Sequence, residues 1–171
     1  MVYEVQQIRI IDASGLLGLV DTQAYPAFVS EDWSYDDIIS HFEEQMQQKK
    51  ILVWDCGDGG DDYSIEVRRG FTTEPGFREI TGGVKSSGDG LYFASYTALT
   101  MAAQFDDETL PSKHEADAHV KLEPGPYRLR IVQRFDPTRI GEREGPDFIV
   151  ELEQGECEPL LAVAWLQTSP P

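Results

Sequence analysis

The sequence has few cysteines, few positive charges and no long apolar segment, and each shortage excludes a class of protein. Cys56 and Cys157 are the only cysteines, too few for a secreted disulfide framework, and no C-x-x-C or zinc-finger spacing is present. No segment approaches the roughly 18 apolar residues of a membrane helix, and MVYEVQQIRIID lacks the basic and apolar regions of a signal peptide. We therefore expect reduced thiols and a cytoplasmic protein with no membrane partner.

The charge that is present is strongly negative. The chain of 171 residues has 31 acidic and 14 basic side chains, a formal net charge of −17. This charge repels polyanions, so we expect no nucleic acid as a ligand and a basic protein as the partner. Residues 31–62 contain ten carboxylates against two lysines, a formal charge of −8. The length suits one domain, which we assign to residues 1–171.

One amphipathic helix is predicted over residues 35–49. Apolar residues recur there at i, i+3, i+4, i+7 and i+11, namely Tyr35, Ile38, Ile39, Phe42 and Met46. Ser34 stands at the N-cap position, and Asp37 three residues later can complete a capping box. Lys49 and Lys50 favour the negative end of the helix dipole.

Most of the remaining chain is predicted to be strand. Apolar and polar residues alternate over 63–69, 127–132 and 148–153, the pattern of half-buried antiparallel strands. Continuous apolar runs at 51–54 and 160–166 predict central strands covered on both faces. Further strands are predicted over 2–11, 16–20, 25–29, 78–85, 91–95 and 118–122. The fold class is therefore β-rich α+β, an antiparallel sandwich-like sheet with one main helix.

The stretch DCGDGGDD, residues 55–62, has four carboxylates and three glycines in eight positions. A calcium-binding EF-hand loop would need oxygen ligands where Gly57 and Gly59 stand, and a phosphate-binding Walker loop would need G-K-[ST] after its glycines. We interpret the stretch as a hairpin connection between strands 51–56 and 63–69, with solvated aspartates that can face a partner. A weak divalent-cation site remains an alternative, and we assign no metal and no cofactor.

Motifs for catalysis are missing too. His114 and His119 are five residues apart, which places their rings on different sides of a helix or opposite faces of a strand, so they predict no zinc site. Ser86 and Ser87 have no G-x-S-x-G motif around them, and carboxylates beside Cys56 disfavour its thiolate. Chance pairs of carboxylates leave glycoside chemistry open. We assign no catalytic residue.

Three arginines, Arg128, Arg130 and Arg134, lie on one face of a predicted strand. The next predicted strand offers Glu151 and Glu153 on its own polar face, so we expect cross-strand ion pairs. A phosphate ligand bound by the arginines is the alternative.

A second acidic region accompanies aromatic side chains. Acidic residues follow the apolar run 99–105, and Glu31 and Asp32 precede Trp33. An aromatic anchor ringed by polar groups is typical of protein interfaces. The candidate partner-binding residues are Asp55, Asp58, Asp61 and Asp62, followed by Trp33, Asp36, Asp106, Asp107 and Glu108.

Three motifs follow one another in a suggestive order: DWSYDDI at the start of the helix, KKILVWD as the next buried strand, and LEPGPYRLR as a later hairpin. This layout, over residues 24–154, resembles that of the bacterial competence protein J family, which inhibits a DNA-entry nuclease, and of related immunity proteins that neutralise secreted toxins. The resemblance implies an inhibitor whose basic partner is a nuclease or toxin.

Two other functions stay open. One is a divalent-cation-dependent hydrolase that uses the same aspartates. The other is a β-sandwich that binds a small ligand or carbohydrate, with Trp33 or Tyr96 on a concave surface.

Overall fold

The computed structural model describes residues 5–11, 13–57, 62–138 and 144–166. Within these ranges the chain forms nine strands, two α-helices and a 3₁₀ turn, so the fold is α+β and rich in strand, as predicted. The strands are β1 (Val5–Ile10), β2 (Leu16–Val20), β3 (Ile51–Asp55), β4 (Tyr63–Arg69), β5 (Arg78–Ser86), β6 (Gly90–Ser95), β7 (His119–Lys121), β8 (Gly125–Gln133) and β9 (Phe148–Gln154). The helices are α1 (Tyr35–Gln47) and α2 (Tyr96–Gln104), and the 3₁₀ turn is Lys113–Glu115.

The strands form two sheets. The five-stranded sheet has the order β1-β4-β9-β8-β5, and the four-stranded sheet has the order β3-β2-β6-β7. Neighbouring strands are antiparallel except β4 and β9, which run parallel with Ile65 opposite Phe148. The antiparallel prediction thus holds with one exception, because alternation of apolar and polar residues indicates which face is buried but not the direction of the neighbouring strand.

The two sheets pack face to face around one apolar core. Ile65, Leu129 and Val150 of the five-stranded sheet and Leu19 and Trp54 of the four-stranded sheet belong to this core, and all five are fully buried. Burial of a large apolar side chain contributes about 1.5–3 kcal/mol to stability. The predicted sandwich is confirmed.

Helix α1 covers the other face of the four-stranded sheet. Its residues Ile38, Phe42 and Met46 are buried in a second apolar cluster with Ile51 and Val53 of β3. The four-stranded sheet therefore has an apolar layer on each face. This explains why β3 is a continuous apolar run although it is an edge strand of its sheet.

The predicted capping of α1 is confirmed. The Ser34 hydroxyl accepts a hydrogen bond from the Asp37 amide at 3.2 Å, and Asp37 Oδ2 accepts one from the Ser34 amide at 3.0 Å. The helix ends at Gln47, two residues before the predicted end. Lys49 has a φ of 62°, which no helical residue can adopt.

Helix α1 is the main helix, as predicted, and helix α2 is a second, shorter helix that was not predicted. Ser95 caps it by accepting a hydrogen bond from the Ala98 amide at 3.1 Å, and Leu99 and Ala103 pack into the cluster under α1. Its short apolar sequence lacks the clear polar face that identifies α1, and this is why periodicity did not reveal it. Neither helix of the described chain is long and apolar enough to cross a membrane.

Two predicted strands are absent from the described chain. Residues 25–29 are irregular, although the Val29 amide donates to the Ala103 carbonyl at the end of α2. In the run 160–166, only Ala164 forms a bridge, with Trp54 of β3. The apolar residues of both segments cover the helix layer and the edge of β3 instead of pairing in a sheet.

The acidic stretch is not a hairpin turn. β3 pairs with β2, whereas β4 pairs with β1 and β9 in the other sheet. Residues 56–62 therefore connect the two sheets. The hairpin prediction failed because two adjacent strand patterns do not reveal whether the strands pair with each other.

Candidate functional site

The two described ends of the acidic stretch lie where strand ends from both sheets meet. β3 ends at Asp55 and β6 ends at Ser95, one on either side of the first residues of β2. In the other sheet β1 ends at Ile10, opposite Tyr63 at the start of β4. We call this region the loop end. The predicted carboxylates that it contains are Asp36, Asp55, Asp62, Asp107 and Glu108, as the following paragraphs describe.

Hydrogen bonds from distant parts of the chain hold the root of the acidic stretch. Arg78 donates from Nη2 to the Asp55 carbonyl at 3.1 Å and from Nε to Gln133 Oε1 at 2.6 Å. The buried Gln133 donates from Nε2 to the Cys56 carbonyl at 2.8 Å, and the Cys56 amide donates to the Gly15 carbonyl at 2.8 Å. The backbone at the start of the acidic stretch is therefore held in place by these hydrogen bonds.

Gly57, the next residue, can hardly be anything but glycine. Its φ is +79°, and a Cβ there would lie 2.5 Å from Pro137 Cγ. Its amide donates to Asp55 Oδ1 at 2.7 Å, so the Asp55 carboxylate helps to form the turn. The Arg78 guanidinium lies 4.4 Å from the centre of the Trp165 ring, which packs over the same base.

The four primary candidates differ in position. Asp58 and Asp61 lie outside the described residues. Asp55 is half-buried at the base of the stretch, and Asp62 is exposed with Oδ2 3.8 Å from Nη2 of the exposed Arg9. Two of the four can thus be placed, and both lie at the loop end.

The start of α1 lies beside the end of β3. Burial raises the pKa of the Tyr35 hydroxyl, and the negative charges of Asp55 and Asp36 raise that pKa further, so both carboxylates are near one phenol. Asp36 is exposed. Trp33 is half-buried against the helix layer, and its indole nitrogen has no hydrogen-bond partner among the described residues.

The other acidic candidates follow α2. Asp106, Asp107 and Glu108 are all exposed, and none of them forms an ion pair within the described ranges. Asp107 and Glu108 line a groove of about 810 Å³ that Arg9 of β1 also lines. We call it the α2 groove. Through Arg9 it adjoins Asp62, whereas Asp106 stands on the turn just outside it.

The described chain offers little for metal or nucleophilic chemistry. Within the ranges given above, no three or more His, Cys, Asp or Glu residues are grouped to hold a metal ion. Burial and the charge of Asp55 raise the pKa of the Cys56 thiol above its ordinary value, as expected for an inert cysteine. Neither Trp33 nor Tyr96 lines the α2 groove, so this concavity is not the aromatic sugar site considered above.

A second acid-rich region, on the outer face of the five-stranded sheet, is built differently. β8 and β9 are in the register that sets Arg128 opposite Glu153 and Arg130 opposite Glu151. Both pairs form ion pairs, and the buried Arg130 donates to the buried Glu151 at 2.7 Å. The predicted cross-strand pairing is confirmed for these two arginines. Arg134 is the exception, because it lies beyond the end of β8 and donates to backbone carbonyls at 2.7 and 2.9 Å.

The segment between β4 and β5 crosses this outer face. Its Phe71 and Thr72 amides donate to Glu153 and Glu151, each at 3.0 Å, and the Thr72 hydroxyl also donates to Glu151. Arg130 donates to the Glu74 carbonyl at 2.7 Å. We call the region the ion-paired face. Its charged residues are Glu66, Arg68, Glu74, Glu79, Arg128, Arg130, Glu151 and Glu153.

Sequence reasoning missed several residues of the loop end. Arg78 and Gln133 fix the root of the acidic stretch, and Arg9 and Glu115 line the α2 groove. Each comes from an element far from the acidic stretch in sequence. Strand pairing places Arg9, Arg78 and Gln133, and the 3₁₀ turn places Glu115, so no local pattern in the sequence could have indicated them.

Two solved structures have this fold. One, described as crocagin biosynthetic gene J, is 16% identical, with a TM-score of 0.57, over 91% of this chain and 100% of that chain. The other is ComJ from Bacillus subtilis, described as inhibitor of the DNA degrading activity of NucA, at 11% identity and a TM-score of 0.54 over the same shares. No protein-family description and no curated protein matches the sequence. The resemblance to competence protein J is thereby confirmed at the level of the fold.

Proposed function

We propose that this chain is an inhibitor of the immunity type, which binds and neutralises a basic protein, a nuclease or a toxin, through the loop end. The observation that carries the proposal is the meeting of Asp36, Asp55, Asp62 and the acidic rim of the α2 groove at one end of the sandwich. The fold shared with ComJ, an inhibitor of a DNA-degrading activity, supports the choice of a nuclease as partner.

The physical basis is competition for cationic side chains. A nuclease holds the phosphates of its substrate with lysine and arginine, and carboxylates on a rigid scaffold can bind the same groups. Here Arg78 and Gln133 hold the backbone carbonyls of Asp55 and Cys56, so this root of the acidic stretch is already ordered before binding. Opposite charge also accelerates the encounter, and added salt screens it.

Capture at low salt tests the proposal. The purified chain, immobilised, is expected to retain a basic nuclease or toxin from the cell that produces it, and to abolish the activity of that protein when added to it. Recovery of no basic protein at low salt would contradict the proposal.

A charge-matched pair of variants then locates the binding surface. The first variant is D36N/D62N/D107N/E108Q, which removes four carboxylates from the loop end. The control is E44Q/D89N/E123Q/E158Q, which removes four exposed carboxylates elsewhere. We expect the first to weaken binding by at least tenfold and the control to stay within about threefold, since close charge pairs couple by about 1.5 kcal/mol or more. Equal losses would show that total charge, and not this surface, matters.

A further inference from the structure

The α2 groove contains a mostly buried carboxylate that the fold pairs at only one of its two oxygens. Glu115, in the 3₁₀ turn, is only 7% exposed and lines the groove. Its Oε1 accepts a hydrogen bond from the Ser95 amide at 3.1 Å. Among the described residues no donor or cation contacts its Oε2. Oε2 is not among the fully enclosed unpaired atoms of the described chain, so it faces the groove, where a cation can reach it.

Part of the groove wall is apolar, between polar residues. Ile11 and Met101 are 65% and 42% exposed, unusual values for large apolar side chains, and Ala98 lies between Ser95 and Met101 on α2. Asp107 and Glu108 stand on the rim. The groove thus offers an apolar wall for an aliphatic chain and carboxylates for a cationic head.

No lysine or arginine of the described chain forms an ion pair with Glu115. Arg9 lines the groove but lies 3.8 Å from Asp62, and Lys113 forms no ion pair within 4.0 Å in the described part of the chain. His114 also lines the groove. Lys113 is therefore a like charge that an incoming cation would meet near Glu115.

From these contacts we infer that the α2 groove is a subsite for one lysine or arginine side chain of the partner protein, with Glu115 as the buried acceptor. The inference rests on the proposed function, whose partner it describes more closely. The aliphatic part of such a side chain packs on Ile11 and Met101, and the ammonium or guanidinium group reaches Glu115 Oε2. Asp107 and Glu108 attract the cation to the groove.

Peptide titration by NMR tests this without the partner. The probes are the blocked tripeptides Ac-Ala-Arg-Ala-NH₂ and Ac-Ala-Lys-Ala-NH₂, with Ac-Ala-Gln-Ala-NH₂ as the neutral control, added to the full chain labelled with ¹⁵N. We expect saturable shifts of the Ser95, Met101 and Glu115 amides with the cationic peptides alone. Absence of saturable shifts at millimolar peptide, or equal shifts with the neutral peptide, would overturn the inference.

Three variants assign the effect to Glu115. E115Q keeps an oxygen that accepts from the Ser95 amide and is expected to weaken binding of the cationic peptides about tenfold or more. K113Q removes the competing charge and is expected to tighten binding, whereas E44Q, on α1 away from the groove, is the control and should change nothing. A thermal melt of E115Q verifies folding. Wild-type affinity in folded E115Q would exclude Glu115 as the acceptor.

The two proposals can fail separately. Groove shifts with cationic peptides, together with no capture of a basic protein, would uphold the subsite and remove the inhibitor function. Capture that E115Q leaves unchanged, together with no peptide shifts, would uphold the inhibitor and remove the subsite.

Discussion

The ion-paired face and the loop end are both rich in carboxylates, yet their carboxylates have different surroundings. On the ion-paired face, Glu151 is fully buried and contacts Arg130 and Thr72, and Glu153 pairs with Arg128. At the loop end, Asp36, Asp107 and Glu108 are exposed, and the latter two form no ion pair in the described chain. A net charge of −17 therefore says little about binding until each carboxylate is assigned to internal pairing or to solvent.

The largest expected effect is the loss of a carboxylate from the ion-paired face. Glu151→Ala removes the only fully buried carboxylate that pairs with Arg130 in the described chain and leaves Thr72 without its acceptor, so we expect the free energy of unfolding to fall by about 3 to 5 kcal/mol. Urea denaturation measures it. The control Asp107→Ala, at the loop end, should change stability by no more than about 0.5 kcal/mol. Similar losses in the two variants would erase the distinction between the regions.

Acid should destabilise the protein through the ion-paired face. Burial raises the pKa of Glu151, but hydrogen bonds from Thr72 and Arg130 outweigh burial and lower it below the ordinary 4.5; the pKa of Glu66 is lowered in the same way by Gln7 and Arg68. A carboxyl group whose pKa is lowered by folding stabilises the fold at pH values above its ordinary pKa. This contribution is lost as the pH falls through the folded-state pKa.

Urea midpoints measured from pH 7 to pH 2 check this. We expect stability to decline below about pH 4.5. The decline should be shallower in Glu151→Gln, which has no carboxyl to titrate there, and unchanged in the control Glu108→Gln. The loss on acidification is expected to be smaller than in Glu151→Ala, because protonated Glu151 still fills its site. An equally steep decline in Glu151→Gln would contradict the assignment.

A smaller effect is expected at the root of the acidic stretch. Arg78→Met removes the hydrogen bonds to the Asp55 carbonyl and to Gln133, and should lower the free energy of unfolding by about 1 to 3 kcal/mol. It should also weaken partner binding, because the backbone at Asp55 is then held by fewer hydrogen bonds. Arg9→Met, which removes an exposed arginine at the same end, is the stability control. Unchanged stability and binding in Arg78→Met would show that the root needs no such anchor.

The smallest effect separates backbone strain from steric overlap at the loop end. Gly57 and Gly15 both have positive φ, +79° and +92°, but only at Gly57 would an added Cβ meet another atom. Gly15→Ala should therefore cost about 1 kcal/mol, and Gly57→Ala more. Thermal denaturation of both variants gives the difference. Equal costs would mean that Pro137 moves aside.

What could be predicted from the sequence is what depends on residues close together in it. The Ser34 and Asp37 capping box and the stripe of α1 involve neighbours three or four residues apart, and alternation identified β4, β8 and β9. The ion pairs that Arg128 and Arg130 form with glutamates of β9 were also predictable, because β8 and β9 are consecutive strands with matching polar faces.

The rest depends on which strands pair, and local patterns do not record that choice. The parallel β4–β9 pair and the assignment of β3 and β4 to different sheets both escaped prediction for this reason. So did the Gln133 bond to Cys56, which joins residues 77 apart. For the candidate site, the sequence alone does not distinguish Glu151 from Asp107, since both are acidic residues. Only the register of β8 and β9 shows that Glu151 is already paired with an arginine.

The parallel pairing of β4 with β9 has a consequence for synthesis. β4 is the inner neighbour of β1, and its other edge stays open until residues 148–152 arrive. During synthesis this strand edge therefore stays unpaired from the completion of β4 at Arg69 until β9 begins at Phe148, and the five-stranded sheet is complete only after β9 has emerged. Until then the open edge of β4 is a site at which the nascent chain can pair with another strand, and a chaperone that covers it would protect the chain from aggregation.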